Sequence, residues 1–93
     1  MPKALQEVLF STAVQHGPVG AARIVNRAVE RMNKTHLSKL DSGGTAERNA
    51  GRQLIRNIYN LRAGQFVSST SKVRGAVQKR LRLEMQEALQ MLG

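Results

Sequence analysis

The sequence predicts an all-α fold, a single compact domain of about four helices. Apolar residues recur every three or four positions through most of the chain, and almost no segment alternates with the period of a strand. A chain of 93 residues has the length of one domain, and such a short domain buries only roughly 60–65% of the surface that its unfolded chain exposes. The predicted domain covers residues 1–93, with helices at about 3–16, 19–33, 46–62 and 71–92 and a mobile loop at about 35–44.

The first predicted helix, at about 3–16, is expected to be the central one because it is apolar on two sides. At about 100° per residue, Leu5 and Val8 share one face, whereas Phe10 and Val14 lie roughly opposite. The other three helices should therefore enclose it. It is expected to end at Gly17, which suits a left-handed C-terminal cap, before a proline that can start the next helix.

Each later helix is predicted to have one apolar face. The second has the apolar residues Ala22, Val25, Val29 and Met32 on one side and the basic residues Arg23, Arg27, Arg31 and Lys34 on the other. The third, for which Thr45 is a plausible N-cap, buries Ala50, Leu54, Ile58 and Leu61. The fourth follows a serine-rich cap signal at Ser68 to Thr70 and buries Val73, Val77, Leu81, Met85, Ala88 and Leu92.

Four polar residues of the first helix are the candidate substrate-binding groups, namely Ser11, Thr12, Gln15 and His16. They would hydrogen-bond a hydroxyl-rich or amide-rich ligand if that side of the helix opens onto a groove. The alternative is structural, with His16 capping carbonyls at the helix end and Ser11 bonding back to its own backbone. A nucleophilic pair of Ser11 and His16 is disfavoured, because the two side chains point to different sides and no third group orients the imidazole.

The acidic residues suggest bracing more than catalysis. No two carboxylates stand out as the acid and base of a glycosidase, which are usually separated by roughly 5–10 Å, so no catalytic residue is assigned. Glu84 follows Arg80 by one helical turn near the rim of the apolar stripe, which predicts a partly buried Arg80–Glu84 structural pair. Neither His16 nor His36 has an acid at ligand spacing, so no metal site is expected, and no cofactor is expected either.

The net charge points to an anionic partner. The 15 Lys and Arg against 6 Asp and Glu give +9, which exceeds what solubility requires and favours nucleic acid, anionic lipid or acidic wall polymers. The candidate polyanion-binding residues are Arg23, Arg27, Arg31, Arg48, Arg52 and Arg56. Solvated helix faces are the competing explanation. Stacking aromatics are few and no basic-region or zinc-finger pattern is present, which argues against nucleic acid. A helix-turn-helix across residues 16–20 with Arg23 and Asn26 reading bases stays open.

Targeting signals are not recognised in the sequence. The first ten residues have a broken apolar run and no small-residue cleavage site follows, so they do not form a signal peptide. Nothing approaches eighteen consecutive apolar residues, and no membrane span is expected. The chain is therefore expected to be cytoplasmic when it is made.

Two runs of the sequence carry a resemblance to a known family, LFSTAVQHGPVGAARIVNRA and LIRNIYNLRAGQFVSSTSKVRGAVQKRLRLEMQEALQML. The ST-VQHGP element, the IY--R turn followed by F-SST and the closing R---E---AL pattern are its main features. Together they resemble the C-terminal helical part of lysozyme-like peptidoglycan-degrading, bacteriolytic domains of phage tail lysins and effectors associated with type VI secretion.

The resemblance implies a helical lobe that lines a glycan cleft, with Ser11, Gln15 and His16 near the cleft and Arg80 and Glu84 bracing the last helix. It also implies that the catalytic glutamate lies upstream of the matching region, so whether this chain is itself an enzyme stays open. The expected partners are peptidoglycan and the remainder of a lysin or a phage tail assembly. The expected location is the phage virion or the bacterial cell envelope after delivery. A small basic DNA-binding or phage regulatory protein, with nucleic acid as its partner, is the alternative function, and a structural subunit whose apolar faces complete a larger assembly is a third possibility.

Overall fold

The computed structural model describes residues 2–65 and 71–93, and within them the chain forms four helices and no strand. These are α1 (Lys3–Glu30), α2 (Lys34–Leu37), α3 (Gly44–Gly64) and α4 (Ser71–Leu92). The prediction of an all-α domain is confirmed. The cap signal at Ser68 to Thr70 and the F-SST element lie outside the described residues.

Helix α1 is kinked where the sequence places a boundary between two helices. Gly17 has φ 74° and ψ 166° inside the helix, and Pro18 follows it. This backbone conformation is essentially restricted to glycine, because a Cβ would clash with the backbone. The kink therefore divides α1 into an N-terminal half and a C-terminal half, and the helix ends at Glu30, a few residues earlier than predicted.

Helix α3 is the central helix, which corrects the expectation that the first helix is enclosed by the others. It contacts each of the other three helices. Its stripe residues Ala50, Ile55 and Ile58 are completely buried. Gly51 allows the end of α4 to approach closely, since a Cβ at this position would lie 3.0 Å from Leu92 Cδ2.

Only one side of the N-terminal half of α1 is covered. Leu5 and Val8 are buried in the core, but Phe10 is 73% exposed and Val14 is 70% exposed. The expectation that both sides would be buried is therefore wrong. Because α3 and α4 both pack on the Leu5 side, no described helix is left to cover the other side.

The segment after α1 contains the single turn of α2, which overlaps the start of the loop predicted at about 35–44. Asn33 caps it by accepting a hydrogen bond from the Thr35 backbone N–H at 2.8 Å. His36 Nδ1 lies 2.6 Å from Gln53 Oε1, which attaches this turn to α3. Helix α3 then begins after Gly43 (φ 76°), so Thr45 is not its N-cap as predicted.

Candidate functional site

The side chain of Arg62, near the end of α3, connects the three long helices. It is only 1% exposed, although arginine is rarely buried. Its Nη1 donates to Ser11 Oγ (3.3 Å) and Thr12 Oγ1 (3.4 Å) on α1, and its Nη2 donates to Gln15 Oε1. The guanidinium carbon lies 4.9 Å from the ring centroid of Tyr59, a cation–π distance. Arg62 is therefore a buried cation held mainly by neutral polar groups.

Glu84 on α4 supplies the negative charge of this cluster. Its Oε1 accepts hydrogen bonds from Tyr59 OH (2.7 Å), from Ser11 Oγ and from Arg62 Nη1 (3.3 Å). The side chain is 33% exposed. Among the described residues no hydrogen bond reaches Oε2. The carboxylate is thus fixed through Oε1, and part of the side chain stays exposed at the groove.

The neighbours of Glu84 keep it ionised at neutral pH. Burial acts to raise the pKa of its carboxyl group, but the hydrogen bonds from Ser11 and Tyr59 and the charge of Arg62 outweigh burial and hold that pKa below its ordinary value. For Tyr59, burial and the adjacent Glu84 carboxylate raise the pKa well above the ordinary range. The phenol therefore stays protonated and donates to an ionised carboxylate.

An open groove of about 610 Å³ lies between the start of α1 and the end of α4, with Glu84 and Tyr59 in its lining. Its other lining residues are Lys3, Gln6, Glu7, Val8, Phe10, Ser11, Glu87, Ala88 and Met91. Three of the chain's six acidic residues line this groove, in a protein of net charge +9. The groove therefore combines apolar walls with a concentration of carboxylates.

The structure brings together three of the four polar residues predicted on the first helix. Ser11 lines the groove and bonds to Glu84, whereas Gln15 bonds to Arg62. Thr12 is 0% exposed and donates to the Val8 carbonyl at 2.7 Å. It is therefore not accessible to a ligand, contrary to the prediction. Its hydroxyl instead satisfies one N–H of the buried arginine. Part of the predicted binding face is thus internal support.

His16 lies apart from the groove, at a second and smaller cavity beside the kink. This cavity, of about 100 Å³, is lined by His16, Gly20, Arg23, Ile24, Arg27, Leu61 and Gln65. Burial and, secondarily, the charge of Arg62 lower the pKa of the His16 imidazole. His16 therefore belongs with two of the predicted polyanion-binding arginines and not with the groove.

The predicted Arg80–Glu84 pair is wrong. Arg80 is exposed, and the ion pair that Glu84 makes is with Arg62, at 3.3 Å. Arg80 lies one helical turn before Glu84 on α4. The Glu84 carboxylate nevertheless faces α1 and α3, where it accepts hydrogen bonds from Ser11 and Tyr59. Packing between helices therefore decides the partner.

The remaining predicted polyanion-binding arginines lie at the end of α1 and along α3. Arg31, directly after α1, and Arg48 and Arg56 on α3 are exposed, like Arg23 and Arg27. Arg52 is half-buried and donates to Asn49 Oδ1 (2.9 Å) and to the Gly93 carbonyl. Five of the six are thus accessible to an anionic partner, and the sixth holds the end of α4.

Sequence reasoning missed Tyr59 and Arg62 as members of the site. Ile55, Tyr59 and Arg62 continue one apolar stripe at helical spacing, and they are buried together. The sequence contains a signal for them. Arg62 is a charged residue at a position of the apolar stripe, and Tyr59, an aromatic residue with a hydroxyl group, lies one turn earlier. This pattern indicates a buried charge that requires polar partners.

The described residues contain no group of three or more His, Asp or Glu side chains that would hold a metal ion. No helix within the described residues has the length and apolar character needed to cross a membrane. Comparison of the chain with protein-family models, with curated proteins and with solved structures found no match. The function is therefore inferred from the geometry and the sequence.

Proposed function

We propose that this chain is a peptidoglycan-directed helical module that binds cell-wall glycan or supports its hydrolysis. The observation that carries the proposal is the groove between α1 and α4, with the fixed Glu84 carboxylate beside exposed apolar walls. Binding sites of this kind combine mostly apolar walls with a few positioned polar groups. The resemblance of the sequence to lysozyme-like domains supports the same ligand class.

The chemistry of the groove suits a sugar. Glycans present hydroxyl and amide hydrogens at their edges and C–H groups on their faces. Glu84 Oε2 would accept a hydroxyl or amide hydrogen, because the carboxylate is ionised and its other oxygen is occupied by Ser11, Tyr59 and Arg62. The exposed ring of Phe10 would pack against a C–H face.

The acidic residues and the exposed arginines lie on different parts of the surface and would contribute differently to wall binding. Glu7, Glu84 and Glu87 line the groove and would repel a polyanion there. The exposed arginines lie elsewhere and would attract the anionic wall over longer range, an attraction that weakens as salt rises. In this proposal the arginines concentrate the protein at the wall and the groove provides the specific contact.

The lowered pKa of Glu84 favours a binding or supporting role over acid catalysis by this residue. A glycosidase acid needs a raised pKa in order to hold a proton at neutral pH. The pKa of Glu84 is shifted in the opposite direction. The proposed hydrolysis would use an acid elsewhere, in the remainder of a lysin or a phage tail assembly, at the virion or the bacterial envelope.

The experiment that tests the proposal is co-sedimentation of the purified protein with intact peptidoglycan sacculi, at low salt and at about 0.5 M salt, where exposed charges are strongly screened. We expect substantial retention at high salt. Complete loss of binding at high salt would contradict a specific groove contact, because the arginines alone would then explain the binding. Muropeptide release, measured on the retained fraction, would test hydrolysis.

A second candidate function is that of a small basic DNA-binding or phage regulatory protein. The observation that favours it is a row of exposed arginines, with Arg23 and Arg27 on the C-terminal half of α1 and Arg31 directly after it. Asn26 on the same half is also exposed. For this function we expect affinity for any duplex, with log K falling by about 0.9 per phosphate contact for each tenfold rise in salt. Tight duplex binding without sacculus binding would favour it over the first proposal.

A further inference from the structure

The cavity beside the kink of α1 has a chemistry opposite to that of the groove. Arg23 and Arg27 line it, one helical turn apart, together with His16 and Gln65. No acidic residue is part of its lining. At about 100 Å³ it has room for a few water molecules, each of which occupies roughly 30 Å³ in the liquid. It is thus a small cationic cavity with a polar rim.

The two arginines of this cavity are not neutralised within the described part of the chain. Neither the Arg23 side chain nor the Arg27 side chain forms a hydrogen bond or ion pair with residues 2–65 or 71–93. On α3, by contrast, Arg48 donates to Thr45 and Arg52 donates to Asn49. Like charges one turn apart destabilise a helix by about 0.2–0.5 kcal/mol. A negative ligand bound between the two guanidinium groups would remove this repulsion.

The buried Arg62 adds to the positive potential at this place. Its charge acts on His16, in the cavity lining, and opposes protonation of the imidazole. Gly20 lines the cavity without a side chain that would fill it, and its position would bring a Cβ to 3.2 Å from His16 Cβ. The cavity therefore stays open on the side of the kink.

We propose that this cavity binds an oxyanion group, a carboxylate or a phosphate, between the guanidinium groups of Arg23 and Arg27. Guanidinium groups donate two parallel hydrogen bonds to either anion, and Gln65 would supply an amide at the rim. The volume suits such a group and not a sugar ring. The site is separate from the groove and goes beyond the proposed function, because it does not depend on what the groove binds.

The test is an NMR titration of the full chain with inorganic phosphate and, separately, with acetate, at ionic strength held constant with sodium chloride. We expect saturable shifts of the Gly20 and Gln65 backbone amides. The R23Q/R27Q double variant should bind at least about tenfold more weakly, since it loses charge-assisted bonds from both guanidinium groups. R31Q is the matched control, because Arg31 is exposed, follows the last residue of α1 directly and does not line the cavity.

The outcomes separate the proposal from general charge screening. Shifts that do not saturate with either anion, or an equal loss of binding in R31Q, would overturn the site. Tighter binding of phosphate than of acetate would identify phosphoester groups as the source of the ligand, and the reverse order would identify carboxylates. Because the readout uses neither sacculi nor the groove, failure of this site and failure of the proposed function are distinguishable.

Discussion

Arg62 and Glu84 form an ion pair whose two members are buried to very different degrees. Their Nη1 and Oε1 atoms are 3.3 Å apart, but Arg62 is 1% exposed whereas Glu84 is 33% exposed. The cation has no access to water, and the anion keeps some. Glu84 is therefore more important for neutralising Arg62 than Arg62 is for solvating Glu84.

Substitution of Glu84 should consequently destabilise the fold. We expect E84Q to lower the free energy of unfolding by about 3 kcal/mol, because it leaves the charge of Arg62 buried without an anion. R62M should cost less, since Glu84 can be solvated at the groove once the arginine is replaced by an apolar side chain of similar length. Urea denaturation of the three proteins measures both differences.

The control for this comparison is E87Q, on the same helix and in the same groove. Glu87 is exposed, so its substitution should change the free energy of unfolding by no more than about 0.5 kcal/mol. If E84Q were as stable as E87Q, the assignment of Glu84 as the counter-charge of the buried arginine would be wrong.

Stability should also fall in acid because of Glu84. The ordinary pKa of the carboxyl group is 4.5, and in the folded protein it is lower. The unfolded chain therefore binds more protons in this range, and the contribution of Glu84 is present above pH 4.5 and lost as the pH falls through the lowered native pKa. Denaturation midpoints of wild type and E84Q should converge in acid and separate above that range.

His16 should produce a second decrease in stability, at a higher pH than the decrease due to Glu84. Burial and the charge of Arg62 lower the pKa of its imidazole from 6.5 in the folded protein. The unfolded chain gains a proton first, so stability declines as the pH falls from 6.5 towards the lowered native pKa. H16Q should remove this decrease and keep the one due to Glu84. A profile that is unchanged in H16Q would contradict the assignment.

Local patterns predicted the parts of the fold that depend on neighbours in sequence. The apolar stripe of α3, with Leu54, Ile58 and Leu61, is buried as its spacing predicted. The break at Gly17 and Pro18 followed from backbone chemistry, because glycine accepts a positive φ and proline can begin a helix. These features need no knowledge of how the helices pack.

The partners of individual side chains required the packing itself. Periodicity places Phe10 on a face of α1, but it does not say whether another helix covers that face. It also suggested a pairing of Glu84 with Arg80 one turn away, whereas the actual partner, Arg62, comes from α3. A buried charge at a stripe position was readable from sequence, but the helix that neutralises it was not.

The kink at Gly17 gives a prediction about backbone strain. G17A should lower the free energy of unfolding by about 1–3 kcal/mol, because alanine is strained at φ 74° and ψ 166° against its own local backbone. Beyond the local backbone no atom lies within 4 Å of the added Cβ. G75A is the matched control, since Gly75 lies within α4 with an equally open Cβ position.

In G75A the same added methyl group should raise stability by about 0.5–1 kcal/mol, through helix propensity. Thermal and urea denaturation of both variants measure whether each substitution lowers or raises the free energy of unfolding. Equal effects at the two positions would show that the backbone conformation of Gly17 is not essential to the fold.

Phe10 and Val14 offer a matched pair for testing the groove. Both are apolar, about equally exposed at 73% and 70%, and one turn apart on α1, but only Phe10 lines the groove. F10S should weaken sacculus binding at about 0.5 M salt at least tenfold, roughly 1.4 kcal/mol, because it removes the aromatic wall. V14S should bind like wild type. Since neither side chain is in the core, the free energy of unfolding of both variants should lie within about 0.5 kcal/mol of that of wild type. Equal loss of binding in the two variants would show that general surface hydrophobicity, and not the groove, retains the protein on the wall.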